Sequence, residues 1–284
     1  MADYKRMVDP DTGELHERTA ILADGDRITT AKQRRKYRVH IQRVKSIEAR
    51  LGMRWVACYH DAIRNITKDL TLTEAGALIR LLPYLRFKGD GHLIENGNPL
   101  KQADIQRIVG RSKANTIALL RRLEDLGIIT KEAQGRSNVY AFNGDFHTYG
   151  IVNDGVKFTK LYQYHTNEIT RDLDLNEIGL LYKILPFFHY KTFYLCANPD
   201  EEDENLLEHL TRERLAELIG HEPETVSRLV SRLQSKGVIL STKALNSVNY
   251  IVHPDVMYRQ ETEDVEYAEF VRKLFAQHRL RQAM

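Results

Sequence analysis

The segment Asp69-Leu70-Thr71-Leu72-Thr73-Glu74-Ala75-Gly76-Ala77-Leu78 returns about a hundred residues later as Asp172-Leu173-Asp174-Leu175-Asn176-Glu177-Ile178-Gly179-Leu180-Leu181. Leu82-Pro83 returns as Leu185-Pro186. Further on, Ala103 to Ile129 is echoed by Glu213 to Ile239, aligning Gly110 with Gly220, Leu119 with Leu229, Leu123 with Leu233 and Gly127 with Gly237. A repeat this long exceeds a solenoid unit and suits one small domain. The chain is therefore expected to build one architecture twice.

Composition sets looser bounds. A length of 284 leaves room for two small domains and terminal segments, and 42% hydrophobic with 29% charged residues fits a globular chain. No apolar run approaches the ~20 residues of a membrane span, and the first residues do not read as a signal peptide. Cys58 and Cys196 read as reduced, buried thiols of an intracellular protein. The net charge of +3 says little by itself; its distribution says more.

Lys32, Arg34, Arg35, Lys36, Arg38, Arg43 and Lys45 concentrate positive charge, with no acid until Glu48. Only Val39, Ile41 and Val44 offer an apolar seam, so the segment is expected to be a basic helix or arm. Such a concentration of one sign repels itself without a partner, and phosphates, whose counterions it displaces, are a fitting one. Upstream, Val8-Asp9-Pro10-Asp11-Thr12-Gly13-Glu14 reads as a turn, making residues before 30 a tail or a small hairpin.

The first repeat begins near Trp55; Val56, Tyr59, Ile63 and Ile66 recur at helical spacing, and Thr71 or Thr73 can cap a second helix that Pro83 bends or ends. Residues 86–99 form a loop or short strand. A compact helix from Lys101 to Val109 then leads through Gly110 to a helix capped by Ser112 and running from Lys113 to Leu126. Its spacing buries Thr116, Leu119, Leu120 and Leu123 and presents Lys113, Asn115, Ile117, Ala118, Arg121 and Arg122. Two helices joined by a glycine turn let the second project into a major groove about 12 Å wide. There Asn pairs with adenine, and Arg or Lys with guanine. The alternating stretches Ile128–Lys131 and Val139–Phe142 flank Gly135-Arg136, giving a hairpin with an arginine at its tip, as a wing requires. Arg111, Ser112, Lys113, Asn115, Ala118, Arg121, Arg122 and Arg136 are the DNA-contact candidates of this repeat.

The second repeat keeps the layout. Leu210 to Gly220 is the first helix, and Pro223 opens the second. Val226, Leu229, Val230 and Leu233 face the core, while Thr225, Ser227, Arg228 and Arg232 face out. Val238–Leu240 and Tyr250–Val252 form the hairpin around Lys243. Glu222 and Glu224 occupy the entry end of the helix, where carboxylates can accept from cytosine N4 but near phosphates weaken binding. After residue 260, Val265, Ala268, Val271, Leu274 and Phe275 share the apolar face of a terminal helix. That face can pack on its own chain or pair with a second copy, and a two-fold dimer would match palindromic half-sites.

Chemistry beyond binding has little support. The histidines show neither zinc-ligand spacing nor the His-apolar-His pair of a nicking enzyme, and no Gly-x-x-x-x-Gly-Lys-Ser/Thr loop occurs. Asp200 to Glu204 reads as a solvated acidic loop. The aromatic segment from Tyr182 to Tyr194 is expected to fill the core and not to stack bases. No catalytic residue, metal or cofactor is assigned.

The Leu-Ala-Glu-Leu-Ile-Gly and Thr-Val-Ser-Arg-Leu-Val-Ser-Arg-Leu stretches within Glu213–Ile239 resemble the winged helices of MarR-type regulators. Val8–Glu14 ahead of the basic arm, followed by Ala103–Ile129, resembles RepL-like replication proteins of Gram-positive plasmids and their phages. Leu185–Tyr190 leading to Leu195–Glu201 is similar to phage and plasmid proteins of the same group. The resemblance implies a duplex-DNA-binding protein, either a replication initiator or a transcription regulator.

The expected fold is mainly α with small β-hairpin wings: two tandem winged helix-turn-helix domains plus terminal helices. Residues 1–50 form a tail with a basic arm, in which Arg34, Arg35, Lys36 and Arg38 touch phosphates. Residues 51–147 and 148–258 are the two winged helices, and residues 259–284 the terminal helix. The expected partners are double-stranded DNA, a second copy through the terminal helix, and replication or transcription machinery. The expected setting is the cytoplasm, with nucleoid, plasmid or phage DNA and no membrane.

Overall fold

A computed structural model describes residues 4–8, 15–20, 33–37, 54–135, 137–152, 155–244, 247–259 and 265–282. Residues 1–45 form one compact unit and residues 46–284 another. In the smaller unit, β1 (Tyr4–Val8) pairs antiparallel with β2 (Leu15–Ala20), from Tyr4↔Ala20 to Val8↔Leu15. The tail is thus a hairpin there, and residues 33–37 are helical.

The larger unit begins with β3 (Trp55–Tyr59) and α1 (His60–Ile66). The helix expected from the spacing of Val56, Tyr59, Ile63 and Ile66 therefore starts only at His60. Trp55, Val56 and Tyr59 have the bulky and branched side chains that suit a pleated surface, and the strand finds its partner far along the chain. Next is α2 (Leu72–Leu81), opened by a capping box: Glu74 N–H donates to Thr71 Oγ1 at 3.2 Å, and Thr71 N–H to Glu74 Oε2 at 2.8 Å. Pro83 ends it in a 3-10 turn, Leu82–Tyr84. β4 (Ile94–Glu95) and β5 (Asn98–Pro99) form a small ribbon before α3 (Gln102–Val109) and α4 (Lys113–Asp125). The hairpin of β6 (Ile129–Gln134) and β7 (Ser137–Phe142) follows, then β8 (His147–Thr148).

The second repeat retraces this order with β9 (Phe158–Tyr162), α5 (Gln163–Thr170) and α6 (Leu175–Ile184). A capping box again opens the long helix, here between Asp174 and Glu177, and Pro186 again starts a 3-10 turn. α7 (Arg212–Ile219), α8 (Pro223–Ser235), the hairpin of β10 (Ile239–Ala244) and β11 (Ser247–Val252), and β12 (Met257–Tyr258) complete it. α9 (Val265–Gln282) closes the described chain.

The repeats interlock. Their flanking strands make one antiparallel sheet in the order β12-β9-β3-β8, with β3 and β9 at its centre. Within the central pair, Ala57 lies opposite Lys160, its own counterpart in the repeat, and Trp55 opposite Tyr162. Beneath, α2 packs along α6. Thr73 donates to Asn176 Oδ1 at 3.0 Å, and these two also occupy equivalent positions. Antiparallel pairing of equivalent residues in both layers relates the repeats by an approximate two-fold axis. The apolar contents are continuous across it: Leu78, Ile79 and Leu82 share one core with Ile178, Tyr182 and Leu185. Tyr182, Phe187, Phe188 and Phe193 are all buried, so the aromatic segment fills the core. Cys58 and Cys196 are free and buried.

α9 seats its apolar face on its own chain. Ala268, Val271 and Phe275 are fully buried, and Tyr267 stacks on Phe193 with ring centroids 5.6 Å apart and planes 3° apart. The face expected to pack on its own chain or pair with a second copy is thus covered within the chain at Ala268, Val271 and Phe275. The docking carries strain. Phe193 has φ 61, and its counterpart in the first repeat is a residue suited to such a backbone, Gly91, with φ 86.

Candidate nucleic-acid interface

Each repeat builds a helix-turn-helix in the same way. α3 ends at Gly110 and α7 at Gly220, both in the left-handed conformation that a glycine adopts without steric cost. The turn releases the chain at an angle, and a second helix begins three residues after the glycine in both cases. In the first repeat Ser112 caps α4, accepting from Asn115 N–H at 3.3 Å. Thr116, Leu119, Leu120 and Leu123 are buried beneath this helix, while Lys113, Asn115, Ala118, Arg121 and Arg122 are exposed and Ile117 is half-buried. The expected inward and outward faces of α4 are those observed.

Among the described residues, the side chains of Lys113, Asn115 and Arg121 hold no partner. They stand around the methyl of Ala118, so one face offers donors, an amide and a small apolar spot. That set suits base edges in a major groove. Arg111 makes a long bond to Thr73 Oγ1 at 3.4 Å, and Arg122 donates to Asp69 O at 3.1 Å. Arg122 thus steadies the C-terminal part of α4 against the loop before α2.

The second repeat differs in charge and in bonding. Glu222 and Glu224 are exposed at the start of α8, and Glu222 makes no side-chain cap bond. Arg228 is exposed and holds no partner among the described residues, and Thr225 is half-exposed. Ser227 is half-buried and Arg232 is exposed, and both side chains have partners within the chain. Ser227 turns to Arg212, whose Nη1 donates to Ser227 Oγ at 2.6 Å. Arg232 pairs with Asp174 Oδ2 at 2.9 Å and lies 3.5 Å from the buried carboxylate of Glu177. Both side chains thus tie α8 to other elements of the fold.

Arg212 was missed by the sequence reading. It also donates to Tyr250 Oη at 2.9 Å and to Gln234 Oε1 at 3.3 Å, so it ties α7 to both α8 and the hairpin. No local signal in the sequence pointed to this, because its partners Ser227, Gln234 and Tyr250 lie on later elements. Around Glu177, Lys236 Nζ approaches Oε2 to 2.7 Å. Burial works against the charge of neighbouring Asp174, yet N–H groups of Glu177 and Asn176 and the Arg232 guanidinium hold its carboxyl below the usual range. The far end of α8 is thereby tied to α6 by charge, whereas that of α4 is held by the Arg122–Asp69 carbonyl bond and by Lys131 of the hairpin, 3.0 Å from Glu124.

Both hairpins are present. Register runs from Ile129↔Phe142 to Gln134↔Ser137 in the first and from Ile239↔Val252 to Ala244↔Ser247 in the second. The wing-tip candidate Arg136 lies outside the described residues; Lys243 lies in β10 opposite Val248, and its side chain is outside the described set. In the smaller unit, Arg34, Arg35 and Lys36 are helical and exposed, whereas Arg38 lies outside the described residues. No group of three or more His, Cys, Asp or Glu able to hold a metal occurs among the described residues, and no described helix is long and apolar enough to cross a membrane.

Neither the curated proteins nor the solved structures gave a match to the chain. A family match covers residues 192–254, which include α7, α8 and both strands of the second hairpin: it is to the Crp-like helix-turn-helix domain. The matched region contains Glu213–Ile239, the stretch whose sequence resembles MarR-type winged helices. A helix-turn-helix with an exposed second helix and a hairpin behind it, matched in this way, supports a winged-helix protein that binds DNA in a sequence-specific manner.

Proposed function

We propose that the protein is a non-catalytic duplex-DNA reader made of two tandem winged helices, in which α4 and α8 engage one extended site from a single chain. The observation that carries this reading is the repetition of the helix-turn-helix about the internal two-fold axis, with an exposed polar face on both second helices. Lys113, Asn115 and Arg121 make α4 the principal reader. Glu222 and Glu224 weaken α8 near phosphates, so its share falls to Arg228 and Thr225. Arg34, Arg35, Lys36 and Arg38 add contacts that do not depend on sequence. The protein acts by occupying its site in the cytoplasm.

For the process served, the resemblance of Val8–Glu14 and Ala103–Ile129 to RepL-like proteins favours plasmid or phage replication initiation or maintenance. The Crp-like match favours the second reading, a transcription regulator of a phage or plasmid operon. A nuclease footprint of the purified chain on the DNA around its own gene tests both. Repeated protected sites within an origin support initiation, and one operator over a promoter supports regulation. Absence of salt-sensitive duplex binding would end both and leave a protein-interaction adaptor.

A further inference from the structure

Arg80 and Lys183 occupy equivalent positions on α2 and α6, and they make equivalent bonds. Arg80 Nη1 donates to Val109 O at 3.3 Å, and Lys183 Nζ donates to Ile219 O at 3.1 Å. Val109 and Ile219 are the last residues of α3 and α7, each directly before its turn glycine. Carbonyls at a helix C-terminus lack intrahelical partners and carry partial negative charge, so a cation there is well placed. Each cation has a second bond, and that one crosses to the other repeat. Arg80 Nη2 donates to Leu173 O at 3.3 Å, and Lys183 Nζ to Thr67 O at 2.5 Å. The turn of the second helix-turn-helix also rests on the opposite repeat, because a Cβ on Gly220 would lie 3.0 Å from Lys68 Cα.

We propose that Arg80 and Lys183 are positioning residues that hold the two recognition helices at one fixed separation, each by pinning a helix-turn-helix to the loop of the opposite repeat. This rests on the two-headed reading above. Lys183 is fully buried, and the cost of removing its charge from water is offset only by well-placed acceptors, here the carbonyls of Thr67 and Ile219. A cap for α7 alone would need only the Ile219 bond. The bond to Thr67 adds a link across the axis, and Arg80 repeats that link with different chemistry.

The test measures the separation directly. Ala118→Cys and Arg228→Cys place spin labels at equivalent exposed positions of α4 and α8 in the full chain. The native thiols stay unlabelled, since burial encloses both and raises their pKa, to about 12 at Cys196. Electron–electron distance measurements without DNA are expected to give one narrow distribution in the parent. In Lys183→Met, whose side chain has similar volume, the distribution should become about twice as wide, and in Arg80→Gln it should widen to a lesser degree. Unchanged widths in both variants, with circular dichroism showing a folded chain, would overturn the proposal, because a mere helix cap lowers stability without freeing the separation. Should Lys183→Met fail to fold, Arg80→Gln decides in the same way.

A second arm keeps the reading itself separable. The parent is used to select a duplex from a random library, and two base pairs are then inserted at the middle of the selected site. A parent that tolerates the insertion refutes two-headed reading whatever the distance data show. A parent that loses about tenfold in affinity, against a smaller loss for Lys183→Met, supports both ideas.

Discussion

Gly76 and Gly179 meet at the crossing of α2 and α6, each pressed against the backbone of the other helix. A Cβ on Gly76 would lie 2.0 Å from the carbonyl oxygen of Leu175, and one on Gly179 would lie 1.9 Å from that of Leu72. Both neighbours are backbone and cannot swing aside. Gly179→Ala is therefore expected to cost roughly 3 kcal/mol or more, at or beyond the upper end for overpacked cores. Gly144→Ala is the control, since its Cβ would meet only Thr148 Cγ2 at 3.9 Å. Urea unfolding of the two variants gives the comparison; equal stabilities would mean that the helix crossing is looser than described.

Phe193 should reverse the usual order of alanine and glycine. Its φ of 61 disfavours any side chain, while its ring is stacked on Tyr267. Either truncation loses the ring, at a cost of roughly 3–5 kcal/mol. Glycine alone also relieves the backbone, so Phe193→Gly is expected to be about 1 kcal/mol more stable than Phe193→Ala. Thermal melts showing alanine as the better replacement would refute the strain.

Acid should unfold the protein through its histidines. Burial, as the leading cause, lowers His60 to about 2, His147 to about 3, and His221 and His253 to about 4. These rings stay neutral in the fold and take protons in the unfolded chain from about pH 6.5 downward. Their stabilisation is complete above pH 6.5 and is lost as the pH falls towards the folded values. Unfolding near pH 5.5 is expected to take up at least about three protons, read from the slope of stability against pH. An uptake below one would contradict the buried, neutral rings.

The two recognition helices should contribute unequally. Asn115→Ala is expected to weaken the selected site by ~1–3 kcal/mol and random duplex hardly at all. Arg228→Ala should cost less, because Glu222 and Glu224 already lower the potential around α8. Gel-shift titrations rank the two; a greater loss at Arg228 would make α8 the principal reader.

Replacing Arg34, Arg35 and Lys36 by alanine should reduce affinity for every duplex and leave sequence preference intact. The slope of log affinity against log salt should flatten by about 0.9 for each phosphate that is no longer neutralised. An unchanged slope in a folded variant would make these residues a solvated helix face.

The helix-turn-helix pairs were legible because their information is local. Periodicity separates Thr116, Leu119, Leu120 and Leu123 from Lys113, Asn115 and Arg121, and Gly110 and Gly220 mark the turns. β3 was not legible, since Trp55, Val56, Tyr59 and Ile63 mimic a helical stripe and the pairing partner β9 lies far along the chain. The partners of Ser227 and Arg232 were not legible for a related reason. A helical wheel puts both outside, but it cannot show Arg212 arriving from α7 or Asp174 from the head of α6. The tie of Lys183 to Thr67 is equally non-local, so a buried lysine within an apolar stretch left no sign of its partners.

The internal two-fold axis also bears on stoichiometry. Two subunits held together only by an interface drift apart as the protein is diluted, and a site that needs both then fills steeply with concentration. Here α4 and α8 share one polypeptide and one core, so no dilution separates them. Under the two-headed reading proposed above, occupancy of a site spanning both helices would rise with the first power of protein concentration, without a threshold. Within one chain the two halves also need not match, and Lys113 opens α4 where Glu222 and Glu224 stand at the start of α8.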